Sequence, residues 1–344
     1  MKTRKLRDIE VSAIGMGCMG FSTAYGEIPT EEESIRLIHE AHDLGCTLFD
    51  TAEIYATYRN ETLVGKALKP FRKDIALSTK YSPSALMGQE NIPGGKLSRT
   101  GVRTALENSM KRLQTDYIDI YFAHRVPENV DPAELADWFG ELIREGKIRG
   151  WGVSEVTAEQ IRIANSVTPL TSVQSEYSMM ARQWEKKEIP VCEELGIGFM
   201  AYAPMAGGLL SGKYSASTEY KGDDIRRVIS RYKPENVSAN QPIIDLIKSF
   251  AEEKGCTPAQ IALAWVMKNP IVVPIPGMRS DARIKENLGA ADIALTDSEY
   301  DLLTSELNKL KVHGERTDEQ IAQLGELRTK MYGSSGVHKG TKPL

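Results

Sequence analysis

The strongest constraint on this chain is a repeat in which a short apolar segment is followed by an amphipathic helical segment. Eight segments are rich in apolar and β-branched residues and predict strands: 12–18, 46–50, 75–80, 117–123, 149–153, 171–175, 197–202 and 271–275. Apolar strands that alternate with helices are typical of a parallel sheet covered by helices. Eight such units predict an α/β fold, a (β/α)8 TIM barrel.

The segments outside this repeat define the predicted domain organisation. Residues 3–15 predict a small hairpin that plugs the N-terminal end of the barrel, and residues 207–240 form a polar insertion in the position of a βα loop. The barrel domain is expected to span residues 1–310. Residues 311–344 are expected to form a C-terminal helical extension that ends in a disordered tail.

Composition excludes several classes of partner. The chain has 344 residues, 26% of them charged, with a formal net charge of -4 at pH 7. It therefore has no basic surplus for nucleic acid or an anionic membrane, and no apolar run approaches the ~18 residues of a membrane span. The N-terminus lacks the apolar region of a secretory signal, and four widely spaced cysteines suit reduced thiols. We expect a cytoplasmic protein; the sequence does not predict its oligomeric state.

Polar residues follow the predicted strands, where barrel enzymes place their chemistry. Asp50 ends the second strand and Tyr55 follows it, Lys80 ends the third strand, and the fourth strand runs into His124. An ammonium lowers the pKa of a neighbouring phenol, and a carboxylate fixes the ammonium in place. We interpret these four residues as a general acid with an oxyanion site for carbonyl reduction. Glu53, in the same segment, has no predicted partner and is left out.

Several longer motifs occur in a fixed order: "FDTAEIY" with "NETLVGKAL", "STK", "YIDIYFAHRVP", "GKIRGWGVSEV", "VQSEYSMMAR", "AYAPMAGGLLSGKY" and "IPGMRSDARIKENLGA". In these motifs the chain resembles the aldo-keto reductase family, especially its longer bacterial and plant members. The resemblance implies a barrel that binds NADP(H) without a Rossmann domain and reduces aldehydes or ketones to alcohols. It implies that Tyr55 is the proton donor, that Lys80 and Asp50 tune its pKa, and that His124 orients the carbonyl.

The resemblance also implies a set of cofactor-binding residues. Ser154 and Gln174 would hold the nicotinamide carboxamide, and Tyr202 would stack on the nicotinamide ring. The remaining residues of this set are Gly20 after the first strand, Met205, Gly207, Leu209 and Lys213 over the pyrophosphate, and Gly277, Arg279, Arg283 and Asn287 beyond the eighth strand. The two arginines open a helix, which is a natural phosphate site, and would read the 2′-phosphate, with Asn287 near the adenine.

Some positions depart from the pattern of the family. Ala56 stands where many members have glycine, Glu155 where asparagine is common, and Ala203 where serine is common. Gly277 and Met278 stand where some members carry lysine and serine for the 2′-phosphate. The substrate pocket is expected near Phe21, Tyr25 and Arg125, with walls from residues 207–240 and the C-terminal segment.

Other readings of the sequence stay open or are disfavoured. "GMGCMG" at 15–20 fits a dinucleotide-binding fingerprint, but no helix opens directly on it, which argues against a Rossmann fold. A Schiff-base aldolase with Lys80 as nucleophile and a non-enzymatic homologue, such as an ion-channel β-subunit, are alternatives. A metal hydrolase is disfavoured because H-x-H is absent and His39 and His42 are expected on a solvated helix face.

Overall fold

A hairpin precedes a parallel sheet of eight strands. The computed structural model describes residues 1–82, 97–127, 130–317, 319–321 and 323. Strands β1 (Thr3–Leu6) and β2 (Ile9–Ser12) form the hairpin. The sheet contains β3 (Met16–Gly17), β4 (Leu48–Asp50), β5 (Ala76–Tyr81), β6 (Ile118–Ala123), β7 (Ile148–Ser154), β8 (Ser172–Glu176), β9 (Gly198–Tyr202) and β10 (Val272–Pro274). Each strand of the sheet pairs in parallel with the next in chain order.

The two ends of this sheet meet and close it into a barrel. The Gly15 amide donates to the carbonyl of Pro274 at 2.9 Å, and the Gly17 amide donates to that of Pro276 at 3.1 Å. Gly17 also pairs in parallel with Gly277. The prediction of a (β/α)8 barrel is therefore confirmed, and "GMGCMG" belongs to its first strand and the turn that follows.

Helices surround the barrel in the predicted alternation. They are α1 (Glu31–Asp43), α2 (Arg59–Leu68), α3 (Arg99–Leu113), α4 (Pro132–Arg144), α5 (Ala158–Val167), α6 (Glu188–Leu195), α7 (Pro234–Ala239), α8 (Gln241–Lys254), α9 (Pro258–Val266), α10 (Asp281–Gly289) and α11 (Asp297–Asn308). The Thr30 side chain accepts from the Glu33 amide, as expected of an N-cap. No helix in the described part of the chain is long and apolar enough to cross a membrane.

The hairpin fills the N-terminal end of the barrel. Leu6, Ile9 and Val11 pack against side chains from inside the barrel, among them Leu48 and Ile120. A Cβ atom added at Gly198, where β9 begins, would lie 2.4 Å from Leu6 Cδ2. Gly198 thus leaves room for the plug, which confirms the prediction of an N-terminal hairpin and explains how it seals the barrel.

Several local predictions need correction. The predicted strand 12–18 is interrupted, because Ser12 ends β2 and its hydroxyl bonds the Ile14 carbonyl as the chain turns into the barrel. The histidines of α1 do not lie on a solvated face: His42 stacks on Phe71 with 3.8 Å between ring centroids, and His39 bonds the Ala67 carbonyl. Most of the predicted C-terminal helix and tail lies outside the described residues.

Candidate active site

Neighbouring strands bring the four predicted catalytic residues to one edge of the barrel. Lys80 Nζ lies 2.5 Å from Asp50 Oδ2 and 3.4 Å from the Tyr55 hydroxyl. The rings of Tyr55 and His124 meet edge to face, with 6.0 Å between their centroids. The C-terminal ends of β4, β5 and β6 therefore assemble a carboxylate, a phenol, an ammonium and an imidazole.

The ion pair of Asp50 and Lys80 is almost fully buried. Lys80 also donates to the Thr51 carbonyl at 2.8 Å, and Asp50 accepts from Ser78 Oγ at 2.7 Å and from Gln174 Nε2 at 3.0 Å. Buried charges are tolerated only when they are paired and hydrogen-bonded in this way. Burial alone lowers the pKa of Lys80, but Asp50 and Tyr55 outweigh it, so the pKa is raised and the amine stays charged.

The electrostatics of Tyr55 correct the sequence-based expectation in one respect. Burial raises the pKa of this phenol, Lys80 lowers it, and burial outweighs Lys80, so the pKa lies above its usual value. Lys80 acts in the expected direction without reversing the effect of burial. Tyr55 therefore keeps its proton near neutral pH, which is the state that a general acid requires.

His124 is held in its neutral form. Burial, together with the nearby charges of Lys80 and Arg125, lowers its pKa well below the usual value. Its Nδ1 lies 2.8 Å from the Ser82 hydroxyl. A neutral imidazole carries one N–H proton. The hydrogen bond at one ring nitrogen therefore determines whether the other nitrogen donates or accepts a hydrogen bond.

Glu53 has a partner that the sequence did not indicate. It is buried, and its Oε1 accepts from the Ser82 amide at 2.7 Å. Burial raises its pKa to about 7. The expectation that Glu53 has no partner is wrong, because Ser82 follows the neighbouring strand β5, 29 residues along the chain. The omission of Glu53 from the catalytic set stays a prediction.

The residues expected to hold the nicotinamide lie on the next three strands. Ser154 ends β7 and accepts from Arg125 Nη1 at 3.2 Å. Gln174 on β8 directs its amide toward Asp50, so it contacts the tetrad itself. Tyr202 ends β9, and its hydroxyl donates to Glu155 Oε1 at 2.7 Å.

Arg316, from the predicted C-terminal extension, reaches Tyr202. Its Nη1 donates to the Tyr202 hydroxyl at 3.0 Å, and its guanidinium carbon lies 5.0 Å from the centroid of the ring. The same nitrogen lies 3.4 Å from Glu176, which also pairs with Arg231. Sequence reasoning missed this arginine because nothing in its local pattern indicates a partner 114 residues away.

Three of the departures from the family pattern share a backbone conformation. The φ angles of Ala56, Glu155 and Ala203 are 50°, 55° and 47°. Glycine, which lacks a Cβ atom, adopts this left-handed region readily, and among the other residues asparagine does so more often than alanine or glutamate. Backbone strain of this kind clusters at functional sites, and all three residues lie beside the predicted site.

The loop after β9 contributes the residues expected over the pyrophosphate. Gly207 has a φ of 62°, and a Cβ atom there would lie 1.9 Å from the Tyr232 hydroxyl, so this position requires glycine. Leu209 is buried in the core and Met205 packs against it. Lys213 is more exposed and pairs with Glu286 of α10 at 3.0 Å.

Arg279 and Arg283 lie at the start of α10, as the sequence predicted. Arg279 donates to the carbonyls of Glu27 and Tyr25 at 2.7 and 2.9 Å. The aliphatic part of its side chain packs against Gly20. Arg283 Nη2 lies 3.3 Å from the Tyr214 hydroxyl. Glycine at position 20 leaves room for this arginine, since a Cβ atom there would lie 2.9 Å from Arg279 Cδ. A contact of Gly20 with the cofactor stays a prediction.

Asn287 and Gly277 are neighbours in this region. The Asn287 side-chain amide is buried and donates to the Gly277 carbonyl over 3.5 Å. Gly277 in turn pairs with Gly17 where the barrel closes. Every residue predicted beyond the eighth strand therefore lies beside the C-terminal edge of the barrel.

Comparison with known proteins identifies the family. The model of the "Aldo/keto reductase family" matches residues 13–308. The chain belongs to the aldo/keto reductase family. It is 37% identical over 294 residues to "Probable aldo-keto reductase 1" of Glycine max, covering 84% of each chain.

Solved structures support the same assignment. The glycerol dehydrogenase AKR11B4 from Gluconobacter oxydans matches with a TM-score of 0.79 and 25% identity over 91% of this chain and 97% of that one. An aldo/keto reductase from Klebsiella pneumoniae, in complex with NADP and acetate, matches with a TM-score of 0.68 and 28% identity over 88% of this chain and 94% of that one. Arg316 lies beyond the residues that the family model matches.

Proposed function

We propose that this aldo/keto reductase catalyses the NADPH-dependent reduction of an aldehyde or ketone to an alcohol. The observation that carries the proposal is the contact of Lys80 with both Asp50 and Tyr55 beside His124. A protonated phenol, a fixed ammonium and a neutral imidazole are the groups that a carbonyl oxygen needs as it gains negative charge.

A cluster of three arginines is the proposed site for the phosphates of the cofactor. Burial, Arg283 and Arg226 all lower the pKa of Arg279, which means that these guanidinium groups repel one another. Arg226 pairs with Asp224 at 2.6 Å. A dinucleotide phosphate would relieve the remaining repulsion, and the complex of the Klebsiella pneumoniae relative with NADP supports this choice of cofactor.

When bound, the reduced dinucleotide supplies the hydride. Tyr55 gives its proton to the carbonyl oxygen, and Lys80 stabilises the phenolate that forms. Asp50 keeps Lys80 charged and in place. His124 donates a hydrogen bond to the same carbonyl oxygen and orients the substrate.

The aldolase alternative is less consistent with this geometry. A Schiff-base lysine must react as a neutral amine. Here Lys80 is paired with Asp50 at 2.5 Å and its pKa is raised, so it is held as an ammonium. This favours a supporting electrostatic role over a nucleophilic one.

A panel of aldehydes, ketones and sugars tests the proposal through consumption of NADPH by the purified protein. Tyr55→Phe should lower the turnover by at least about 100-fold, since general acid catalysis contributes ~10²–10⁴-fold, while NADPH affinity persists. Borohydride trapping of a carbonyl substrate on Lys80 without NADPH consumption would instead support an aldolase. Near wild-type turnover by the phenylalanine variant would refute the assignment of Tyr55.

A further inference from the structure

We propose that Glu53 and Ser82 are positioning residues that hold His124 in the neutral tautomer with its proton on Nε2. The role in catalysis rests on the proposed function, in which Nε2 donates to the substrate carbonyl. The tautomer itself is a property of the chain and can be measured without turnover.

Glu53 extends the pairing of β4 and β5 beyond the end of β4. Its amide lies 3.5 Å from the Lys80 carbonyl, and its carboxyl oxygen accepts from the Ser82 amide at 2.7 Å. Ser82 follows the last residue of β5. The Glu53 side chain thus takes the place of a strand carbonyl and fixes the backbone of Ser82.

Ser82 in turn contacts the imidazole ring of His124. Its hydroxyl lies 2.8 Å from His124 Nδ1, and the His124 amide donates to the Tyr81 carbonyl at 2.9 Å. Both the backbone and the ring of His124 are therefore held by the end of β5. When the hydroxyl donates to Nδ1, the single proton of the neutral ring lies on Nε2.

The acceptor at residue 53 matters more than its charge. Glu53 Oε2 lies 3.8 Å from Arg112 Nη2, whereas Arg112 lies 2.6 Å from the buried Glu61. Arg112 thus makes its short ion pair with Glu61. Because a carboxylate, a carboxylic acid and an amide all carry an oxygen that accepts from the Ser82 amide, Glu53→Gln should preserve the arrangement.

The experiment measures the ¹⁵N signals of the histidine rings in full-length protein carrying Ser82→Ala, Ser82→Thr, Glu53→Ala or Glu53→Gln. The chain has five histidines, so His124→Asn assigns the signal. The matched control is Thr79→Ala, which removes a buried hydroxyl of β5 whose hydrogen bond, at 2.6 Å, goes to Glu61 instead of His124. NADPH affinity and carbonyl turnover are measured in parallel.

We expect the Nε2-protonated tautomer in the wild type, Ser82→Thr, Glu53→Gln and Thr79→Ala. Ser82→Ala and Glu53→Ala should populate both tautomers and lower kcat about 10-fold, the effect of one lost hydrogen bond, with NADPH affinity changed less than about twofold. Protonation on Nδ1 in the wild type, an unchanged His124 signal in both alanine variants, or an equal change in Thr79→Ala would overturn the proposal. A wild type that reduces no carbonyl refutes the proposed function alone, since the ring signals still decide the tautomer.

Discussion

The Lys80 ammonium lies 3.4 Å from the Tyr55 hydroxyl and lowers the pKa of this phenol, whereas burial raises it. Burial dominates, so the phenol keeps its proton. In the proposed reaction the same ammonium, fixed by Asp50 at 2.5 Å, would stabilise the phenolate after proton transfer. Tyr55 would thus supply the proton, and Lys80 would act on the phenolate that remains.

Lys80→Met should lower kcat by about 100-fold or more, because the phenolate loses its cation and Asp50 is left buried without its ion pair. Steady-state reduction with saturating NADPH measures the loss. Lys66→Met is the matched control, since it removes a lysine that pairs with Glu31 at 2.8 Å on the half-exposed surface. Such a pair contributes ~0–1 kcal/mol to stability, and turnover should not change. An equal loss in both variants would show that Lys80 acts only through folding.

Arg283→Ala should weaken NADPH binding about 10-fold, as expected for one lost charge-assisted hydrogen bond, and leave NADH binding unchanged. Arg279→Ala should weaken both cofactors, because its guanidinium also holds the backbone of Tyr25 and Glu27. Fluorescence titration with each dinucleotide separates the two effects. Arg36→Ala serves as the control, since Arg36 bonds Asp281 at the start of the same helix from the exposed side. Equal losses of NADPH and NADH in Arg283→Ala would contradict a 2′-phosphate contact.

The parts of the site that could be predicted are those set by position on a strand. Asp50, Lys80 and Ser154 each lie at or beside a strand end, and parallel strands bring their C-terminal ends together whatever the loops do. The spacing of apolar segments was therefore enough to predict that these residues lie at the same edge of the barrel.

Contacts made by side chains across loops could not be predicted in this way. Glu53 meets Ser82 because the turn after β4 directs its carboxyl toward β5, and Arg316 meets Tyr202 because the C-terminal segment folds back over the barrel. The local sequence does not indicate either contact, since both depend on how the loops pack in the folded protein.

Arg316→Ala should weaken NADPH binding by about 3- to 10-fold, because the Tyr202 ring loses a hydrogen bond and a cation–π contact. Arg316→Lys should recover part of the affinity through its charge. Arg182→Ala removes a guanidinium that lies 5.3 Å from the Trp265 ring and should have no effect. Tighter NADPH binding in Arg316→Ala would mean that the arginine competes with the nicotinamide for the ring.

Glu53 makes folding stability depend on pH with an unusual sign. Its pKa is raised to about 7 in the folded protein from an ordinary value of 4.5, so between these values the folded state holds more protons than the unfolded one. The free energy of unfolding should therefore fall as pH rises through this window, by up to about 1.4 kcal/mol per pH unit for one proton.

Glu53→Gln should remove this contribution and make the protein relatively more stable above pH 7. Denaturant midpoints of wild type and variant at pH 5, 6 and 7.5 give the difference, in which the contributions of all other groups cancel. For Glu33→Gln the difference in the free energy of unfolding should change with pH in the opposite direction, because Arg36 lowers the pKa of Glu33. This difference should be small, since Glu33 is exposed. If the wild type and Glu53→Gln lose stability in parallel between pH 5 and 7.5, the Glu53 carboxyl does not titrate in this window.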